Sequence, residues 1–71
     1  MTGAEFIRRV RRIGRERGLA VEFDERRGKG SHGTLYFADR ATVVKDRKKE
    51  LGAGLLNDML KQLGLTRADL K

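Results

Sequence analysis

The residues of this chain best suited to chemistry lie in one short stretch, "RRGKGSHGTLYF", which runs from Arg26 to Phe37. It contains the only histidine of the chain, His32, and three cations, Arg26, Arg27 and Lys29. Imidazole is the one side chain whose ordinary pKa lies near neutrality, so it can accept or donate a proton there. Glycines between cations let backbone amides and charged side chains approach a phosphate together. The stretch therefore predicts a phosphate-binding turn with a general base or acid beside it.

The same stretch contains a literal G-x-G-x-x-G, formed by Gly28, Gly30 and Gly33. That pattern binds a dinucleotide where a helix follows it, because the helix N-terminus holds the pyrophosphate. Here "TLYFADRATVV" follows, which is a strand pattern, so we exclude a dinucleotide loop. A P-loop is excluded because Lys29 is followed by glycine where that motif needs Ser or Thr. One histidine without cysteine cannot build a usual zinc site, and we expect neither a metal nor another cofactor.

These groups would be sufficient for cleaving RNA. RNA carries its own nucleophile, the 2'-hydroxyl, so a general base at that hydroxyl and cations around the phosphate need no metal. His32 is the candidate general base or acid, and Lys29 is the candidate for the general acid that would act with it. Ser31 adds a hydroxyl to the turn, and Tyr36 on the same strand face could stack on a base. The alternative from the residues alone is that His32 is an ordinary strand-end residue in a turn that binds phosphate without chemistry.

The overall charge indicates a polyanionic partner. The chain has 71 residues, with 17 Lys and Arg against 10 Asp and Glu, and a net charge of +7. Such an excess suits RNA, DNA, an anionic membrane or an acidic protein, and in so small a domain it favours nucleic acid. No apolar run approaches the roughly 18 residues of a membrane span, so we expect no membrane partner. Without cysteine there is no disulfide framework, and we expect a cytoplasmic protein.

Hydrophobic periodicity divides the chain into five elements, which we expect to form a single domain over residues 1–71. Thr2, followed three residues later by Glu5, predicts a capped helix that begins near Gly3, and Gly18 is typical of its end. Three alternating segments follow, joined by short turns, and helical spacing then returns. The strands are predicted over 19–25, 32–38 and 41–45. The order α-β-β-β-α therefore predicts an α+β fold, with two helices on one face of a three-stranded antiparallel sheet.

The same periodicity assigns a core and an open face of the sheet. If Leu35 and Phe37 face the helices, His32, Thr34 and Tyr36 point the other way, because side chains alternate along a strand. The histidine then lies on the open face or at its edge, where a core histidine would not lie. The predicted core is Phe6, Val10, Ile13, Leu19, Val21, Phe23, Leu35, Phe37, Leu55, Leu56, Met59 and Leu63.

Two segments, "GKGSHGTLYF" and "LLNDMLKQLGLTRADL", carry a resemblance to a known family. A basic turn, a G-S-H step that enters a second strand, an amphipathic first helix and this ending resemble the HicA family of mRNA interferase toxins. The resemblance covers nearly the whole chain. It fails after the third strand, where many members carry a proline and a second histidine and this chain has "VVKDRKKEL". Side chains there can supply charge but cannot titrate as a histidine does; they are Lys45, Arg47, Lys48 and Lys49.

The resemblance implies a double-stranded-RNA-binding-domain-like fold of the same element order. It implies an endoribonuclease that cleaves mRNA, blocks translation and forms the toxin component of a type II toxin–antitoxin system. A HicB-like antitoxin would cover the His32 surface in a hetero-oligomer. The family's catalytic histidine corresponds to His32, and the glycine and serine before it correspond to Gly30 and Ser31. The predicted RNA-binding residues are Arg26, Arg27, Gly28, Lys29, Gly30, Ser31, Thr34, Tyr36 and Lys45.

Two competing interpretations predict different outcomes for RNA. A non-catalytic module related to double-stranded-RNA-binding domains would recognise RNA by its shape and leave it intact. Its binding would weaken steeply with salt. A protein-interaction domain would instead use the basic surface to dock an acidic protein, and the arginine-rich first helix is a candidate contact for it.

Overall fold

The computed structural model describes residues 1–25 and 32–71. Its elements follow the predicted order, and a short 3₁₀ helix at the end of the chain is capped by Thr66 and Asp69, as the spacing of these two residues predicts. The elements are α1 (Gly3–Arg17), β1 (Val21–Asp24), β2 (Gly33–Phe37), β3 (Arg40–Val44), α2 (Ala53–Leu63) and the 3₁₀ helix (Arg67–Leu70). Both strand pairs are antiparallel, and β2 lies in the middle of the sheet. The predicted α+β class and the three-stranded antiparallel sheet are therefore confirmed.

The boundaries of all three strands differ from the prediction by one or two residues at each end, and β2 is Gly33–Phe37 where the alternation predicts 32–38. β1 begins at Val21, two residues later than predicted, because the N–H of Leu19 still bonds to the carbonyl of Gly14 in α1, at 2.8 Å. β3 begins at Arg40 and ends before Lys45, since Arg40 already pairs with Phe37 and leaves only two residues in the turn. The two-residue turn fixes the register between β2 and β3.

The helix α1 begins and ends as its sequence predicts. The Oγ1 of Thr2 accepts the N–H of Glu5 at 3.2 Å, which satisfies one of the free donors of the first turn. Gly18 closes the helix with a left-handed φ of 68°. The carboxylate of Glu5 lies 3.4 Å from Arg8 and 3.5 Å from Arg9, so it is engaged with arginines of its own helix.

One face of the sheet and one face of each helix form the core. Leu35 and Phe37 of β2 and Val44 of β3 are buried, and both helices pack against the face that carries them. Burial of apolar surface on this scale is what stabilises so small a domain. The buried apolar residues are Phe6, Ile7, Val10, Ile13, Leu35, Phe37, Val44, Met59, Leu60, Leu63, Leu65 and Leu70.

Two predicted core residues are wrong. Leu19 is 39% exposed because it lies in the connection before β1 and not in a strand. Leu55 is 47% exposed. At 100° per residue it lies about a quarter-turn from the centre of the stripe that Met59, Leu60 and Leu63 bury. Three other predicted core residues are only partly buried, namely Val21, Phe23 and Leu56.

Within the two described ranges, no helix combines the length and the apolar character that a membrane span requires.

Candidate functional site

Three chain segments meet at the edge of the sheet where β2 begins. Because the strands are antiparallel, the end of β1, the start of β2 and the end of β3 lie together. Gly33 pairs with Val44, and the two residues just beyond this pair are His32 and Lys45. Both side chains are exposed. Since the pairing ends at Gly33 and Val44, the main chains of His32 and Lys45 lie at the same end of the sheet, and the candidate base has a cation on the neighbouring segment.

The open face of the sheet carries the side chains that the alternation predicts. Tyr36 is 43% exposed, whereas Leu35 beside it is fully buried. Glu22 pairs with Tyr36, and Asp24 pairs with Thr34, on the same face. Two carboxylates therefore border the predicted RNA contacts of β2. Asp24 also lies at the end of the sheet that carries His32, so a phosphate bound there would have a carboxylate as well as Lys45 in its vicinity.

The segment that follows β3 is fastened to the start of α1. The N–H of Gly3 donates to the carbonyl of Lys49 at 3.3 Å, and the N–H of Ala4 donates to that of Arg47 at 2.9 Å. A Cβ on Gly3 would lie only 2.7 Å from the carbonyl oxygen of Asp46, so only glycine permits this approach. The first-turn donors of α1 are thus used within the fold. This fastening fixes the main chain of the basic segment, residues 45–49, beside the end of the sheet where His32 and Lys45 lie, which we call the His32 edge.

A packed pair of residues supports the start of β2. The ring of Phe23 lies against the backbone of Gly33, and the guanidinium of Arg47 is 5.3 Å from the centroid of that ring. The Nη2 of Arg47 also donates to Oε2 of Glu25 at 2.8 Å. These contacts join the ends of all three strands directly beside His32. Residue type alone did not predict the role of Arg47, although a glycine inside a strand indicates the close approach of another group.

The structure describes only part of the predicted site. It describes His32, Thr34, Tyr36 and Lys45, and it brings His32 and Lys45 to the same edge. The remaining predicted contacts lie outside the described residues; they are Arg26, Arg27, Gly28, Lys29, Gly30 and Ser31. Among residues 1–25 and 32–71, no group of three or more His, Cys, Asp or Glu side chains is arranged to hold a metal ion.

Comparisons with known proteins identify no relative. No family profile matches the chain, and neither a curated protein nor a solved structure resembles it significantly.

Proposed function

We propose that this chain is a HicA-like ribonuclease with a double-stranded-RNA-binding-domain-like fold, and that it is the toxin component of a type II toxin–antitoxin system. The observation that carries the proposal is the exposed position of His32 beside the start of β2, at the end of the sheet where Lys45 follows β3. An exposed histidine with a lysine on the neighbouring segment suits proton transfer beside a bound phosphate.

The reaction follows from the chemistry of RNA. His32 as general base removes the proton of a 2'-hydroxyl, and the oxygen attacks the adjacent phosphorus. The bond to the 5'-oxygen of the next nucleotide breaks, and that oxygen takes a proton from a general acid. The products are a 2',3'-cyclic phosphate and a 5'-hydroxyl, and the reaction consumes neither metal nor cofactor. Cations near the phosphate stabilise the charge that develops in the transition state.

In the proposed complex, each described side chain of the site contacts a different part of the RNA. Lys45 is the described cation next to His32, and it would bind the phosphate that reacts. Tyr36 is four residues farther along β2, about 13 Å from His32 at the rise of a strand. It would stack on a base that flanks the cleaved linkage. Thr34 lies between the two and can donate a hydrogen bond to the backbone.

The test is cleavage of a labelled RNA by the purified chain in the presence of EDTA. We expect His32→Ala to slow cleavage by at least about 100-fold, the usual contribution of a general base or acid. His32→Gln is the matched variant, since it keeps a polar side chain of similar reach but cannot titrate. Circular dichroism verifies the fold of both. A folded His32→Ala protein that cleaves as fast as the parent would refute the mechanism.

A HicB-like antitoxin that covers the His32 surface is the expected partner in the cytoplasm. Expression of the chain alone should arrest translation, and the His32→Ala variant should not. Protection by a co-expressed acidic partner should depend on contact with the edge that carries His32 and Lys45. A partner that neutralises the toxin without shielding this edge from RNA would contradict the proposed surface.

The second candidate function is RNA binding without cleavage. It is favoured by the position of many cations on α1, outside the His32 edge. It predicts strongly salt-dependent binding, with RNA intact after long incubation and with little effect of His32→Ala.

A further inference from the structure

The outer face of α1 carries a strong positive charge. The helix contains six arginines, two glutamates and no lysine. Its apolar side chains Phe6, Val10 and Ile13 are buried against the sheet, so the arginines occupy the rest of the circumference. We call this surface the arginine ridge; it comprises Arg8, Arg9, Arg11, Arg12 and Arg15.

Part of the ridge forms one wall of a groove of about 620 Å³. Nη1 of Arg9 and Nη2 of Arg12 donate to the main-chain oxygen of Leu70, at 3.4 and 3.2 Å. Nη2 of Arg12 also donates to the main-chain oxygen of Lys71 at 2.8 Å. Arg8 and Arg9 lie 3.4 and 3.5 Å from the carboxylate of Glu5, so the contacts of the groove orient these guanidiniums, and Glu5 offsets part of their charge. The groove is therefore a partly preorganised cationic surface, lined by Arg8, Arg9, Arg12, Arg15, Leu70 and Lys71.

Two arginines of the ridge, Arg11 and Arg15, differ from the others in their contacts. Within the described part of the chain, neither Arg11 nor Arg15 has a hydrogen-bond or ion-pair partner. Arg15 lines the groove and also, with Arg11, a neighbouring depression of about 170 Å³. The cationic surface thus continues along the helix from one depression into the next.

The composition of this surface distinguishes between classes of partner. The exposed residues of α1 include no large apolar side chain; they are Ala4, Arg8, Arg11, Arg12, Arg15, Glu16 and Arg17. Protein interfaces are anchored by aromatic or arginine side chains in desolvated pockets, and a membrane-surface helix needs its apolar face free. On α1 the apolar face is buried, and no exposed aromatic or large apolar side chain lies beside the arginines to desolvate them. A nucleic-acid backbone requires only a row of cations, and arginine binds phosphate through two parallel hydrogen bonds.

We propose that the arginine ridge is a second RNA-binding surface, which holds the phosphate backbone of the substrate on the side of the molecule opposite Tyr36. The choice of RNA over DNA rests on the proposed ribonuclease function. The binding of a phosphate backbone rests on the arginines alone and does not depend on that function. Binding there is independent of sequence, because it uses the backbone alone. The ridge fixes the substrate, and the His32 edge cleaves it.

The test measures RNA binding by the His32→Ala chain, which keeps the substrate intact, as a function of salt. We expect Arg11→Ala/Arg15→Ala, which removes the two arginines without described partners, to weaken binding. It should also lower the slope of log K against log salt by roughly 1.4 to 1.8, or 0.7 to 0.9 for each phosphate that is no longer neutralised. The matched control is Arg40→Ala/Lys61→Ala, which removes the same charge from other surfaces and should leave most of the slope unchanged.

Several outcomes would overturn the inference. An equal slope for the ridge variant and the control would do so. The inference would also fail if the ridge variant bound RNA as tightly as the parent but no longer bound polyglutamate. That result would indicate that the ridge binds an acidic protein. Tighter, ridge-dependent binding of a DNA duplex of equal length would overturn the choice of RNA.

The proposed ribonuclease function has a separate readout. If the parent chain never cleaves RNA but the ridge variant still lowers the salt slope, that function fails and the ridge remains an RNA-binding surface.

Discussion

The ring of Phe23 occupies the space in which a side chain on Gly33 would begin: a Cβ on Gly33 would lie 2.4 Å from Cζ of Phe23. Gly33 directly follows His32, so this contact sets how closely β1 approaches the residue before β2. The glycine is required here because an aromatic ring fills the position, and a left-handed backbone plays no part.

Gly33→Ala should therefore destabilise the chain. Overpacking of this kind costs about 1 to 3 kcal/mol, because the ring or the strand must move. The measurement is urea denaturation followed by circular dichroism. Gly54→Ala is the control, since a Cβ there meets nothing within 4 Å and alanine favours the helix by up to about 1 kcal/mol. Equal stability of Gly33→Ala and the parent would contradict the close packing.

Arg47→Ala should lower stability and disturb the His32 edge. Its ion pair with Glu25 is exposed, with 39% and 51% of the two side chains accessible, so the pair contributes less than about 1 kcal/mol. The contact with Phe23 adds about 0.5 to 1 kcal/mol. We expect the NMR chemical shifts of His32 and Gly33 to change, together with this small decrease in the free energy of unfolding. Lys61→Ala, an exposed cation on α2, is the control and should leave both signals in place.

The loss of folding stability at low pH should depend in part on the carboxylate of Asp69. The N–H of Thr66 donates to this carboxylate at 2.8 Å, and the Thr66 hydroxyl and Arg17 donate to it as well. These bonds, the backbone N–H first, hold the pKa of Asp69 below its usual value. A pKa lowered by folding adds stability that is complete above the unfolded pKa, about 3.9, and is lost as pH falls through the folded value.

Carboxyl-carbon NMR measures this pKa directly. We expect Arg17→Ala to raise the pKa of Asp69 only part of the way, because the backbone donor of Thr66 remains. Asp69→Asn should flatten the loss of stability between about pH 4 and the folded pKa. Titration of Asp69 at or above its usual pKa would exclude this contribution.

Replacing Ala38 by glycine should stabilise the protein. It lies in the turn between β2 and β3 with a φ of 55°, in the left-handed region that costs a non-glycine residue about 1 to 2 kcal/mol. After the greater flexibility of glycine in the unfolded chain is subtracted, Ala38→Gly should stabilise by about 0.5 to 1 kcal/mol. Ala41→Gly, in β3 opposite Tyr36, should destabilise by a similar amount. A destabilised Ala38→Gly protein in urea denaturation would refute the argument.

The sequence is most informative where a pattern is local. Alternation in β2 predicts the buried Leu35 and the exposed Tyr36, since neighbouring side chains on a strand must point to opposite faces. Thr2 and Gly18 mark the ends of α1 because caps depend on adjacent residues. The same local reasoning places His32 on the exposed edge.

Features that depend on distant residues could not be predicted in this way. Leu65 and Leu70 are buried although each follows α2 outside any long periodic segment, because the end of the chain folds back against α1. The contact between Arg47 and Phe23 joins residues from different elements. In the candidate site, the sequence identifies His32 and the basic segment, whereas the packing that fixes that segment is visible only in three dimensions.

The hydrogen bond from the N–H of Gly3 to the carbonyl of Lys49 has a consequence for the order in which the contacts of the fold form. The first turn of α1 precedes the sheet in the sequence, whereas its partner Lys49 follows the whole sheet, so the two are synthesised on either side of it. Closing so long a loop must follow the pairing of the strands, because the entropy of loop closure is offset only by contacts already made. A partly synthesised or partly unfolded chain therefore lacks the fixed segment beside His32. The end of the sheet that carries His32 acquires its fixed geometry only with the complete fold.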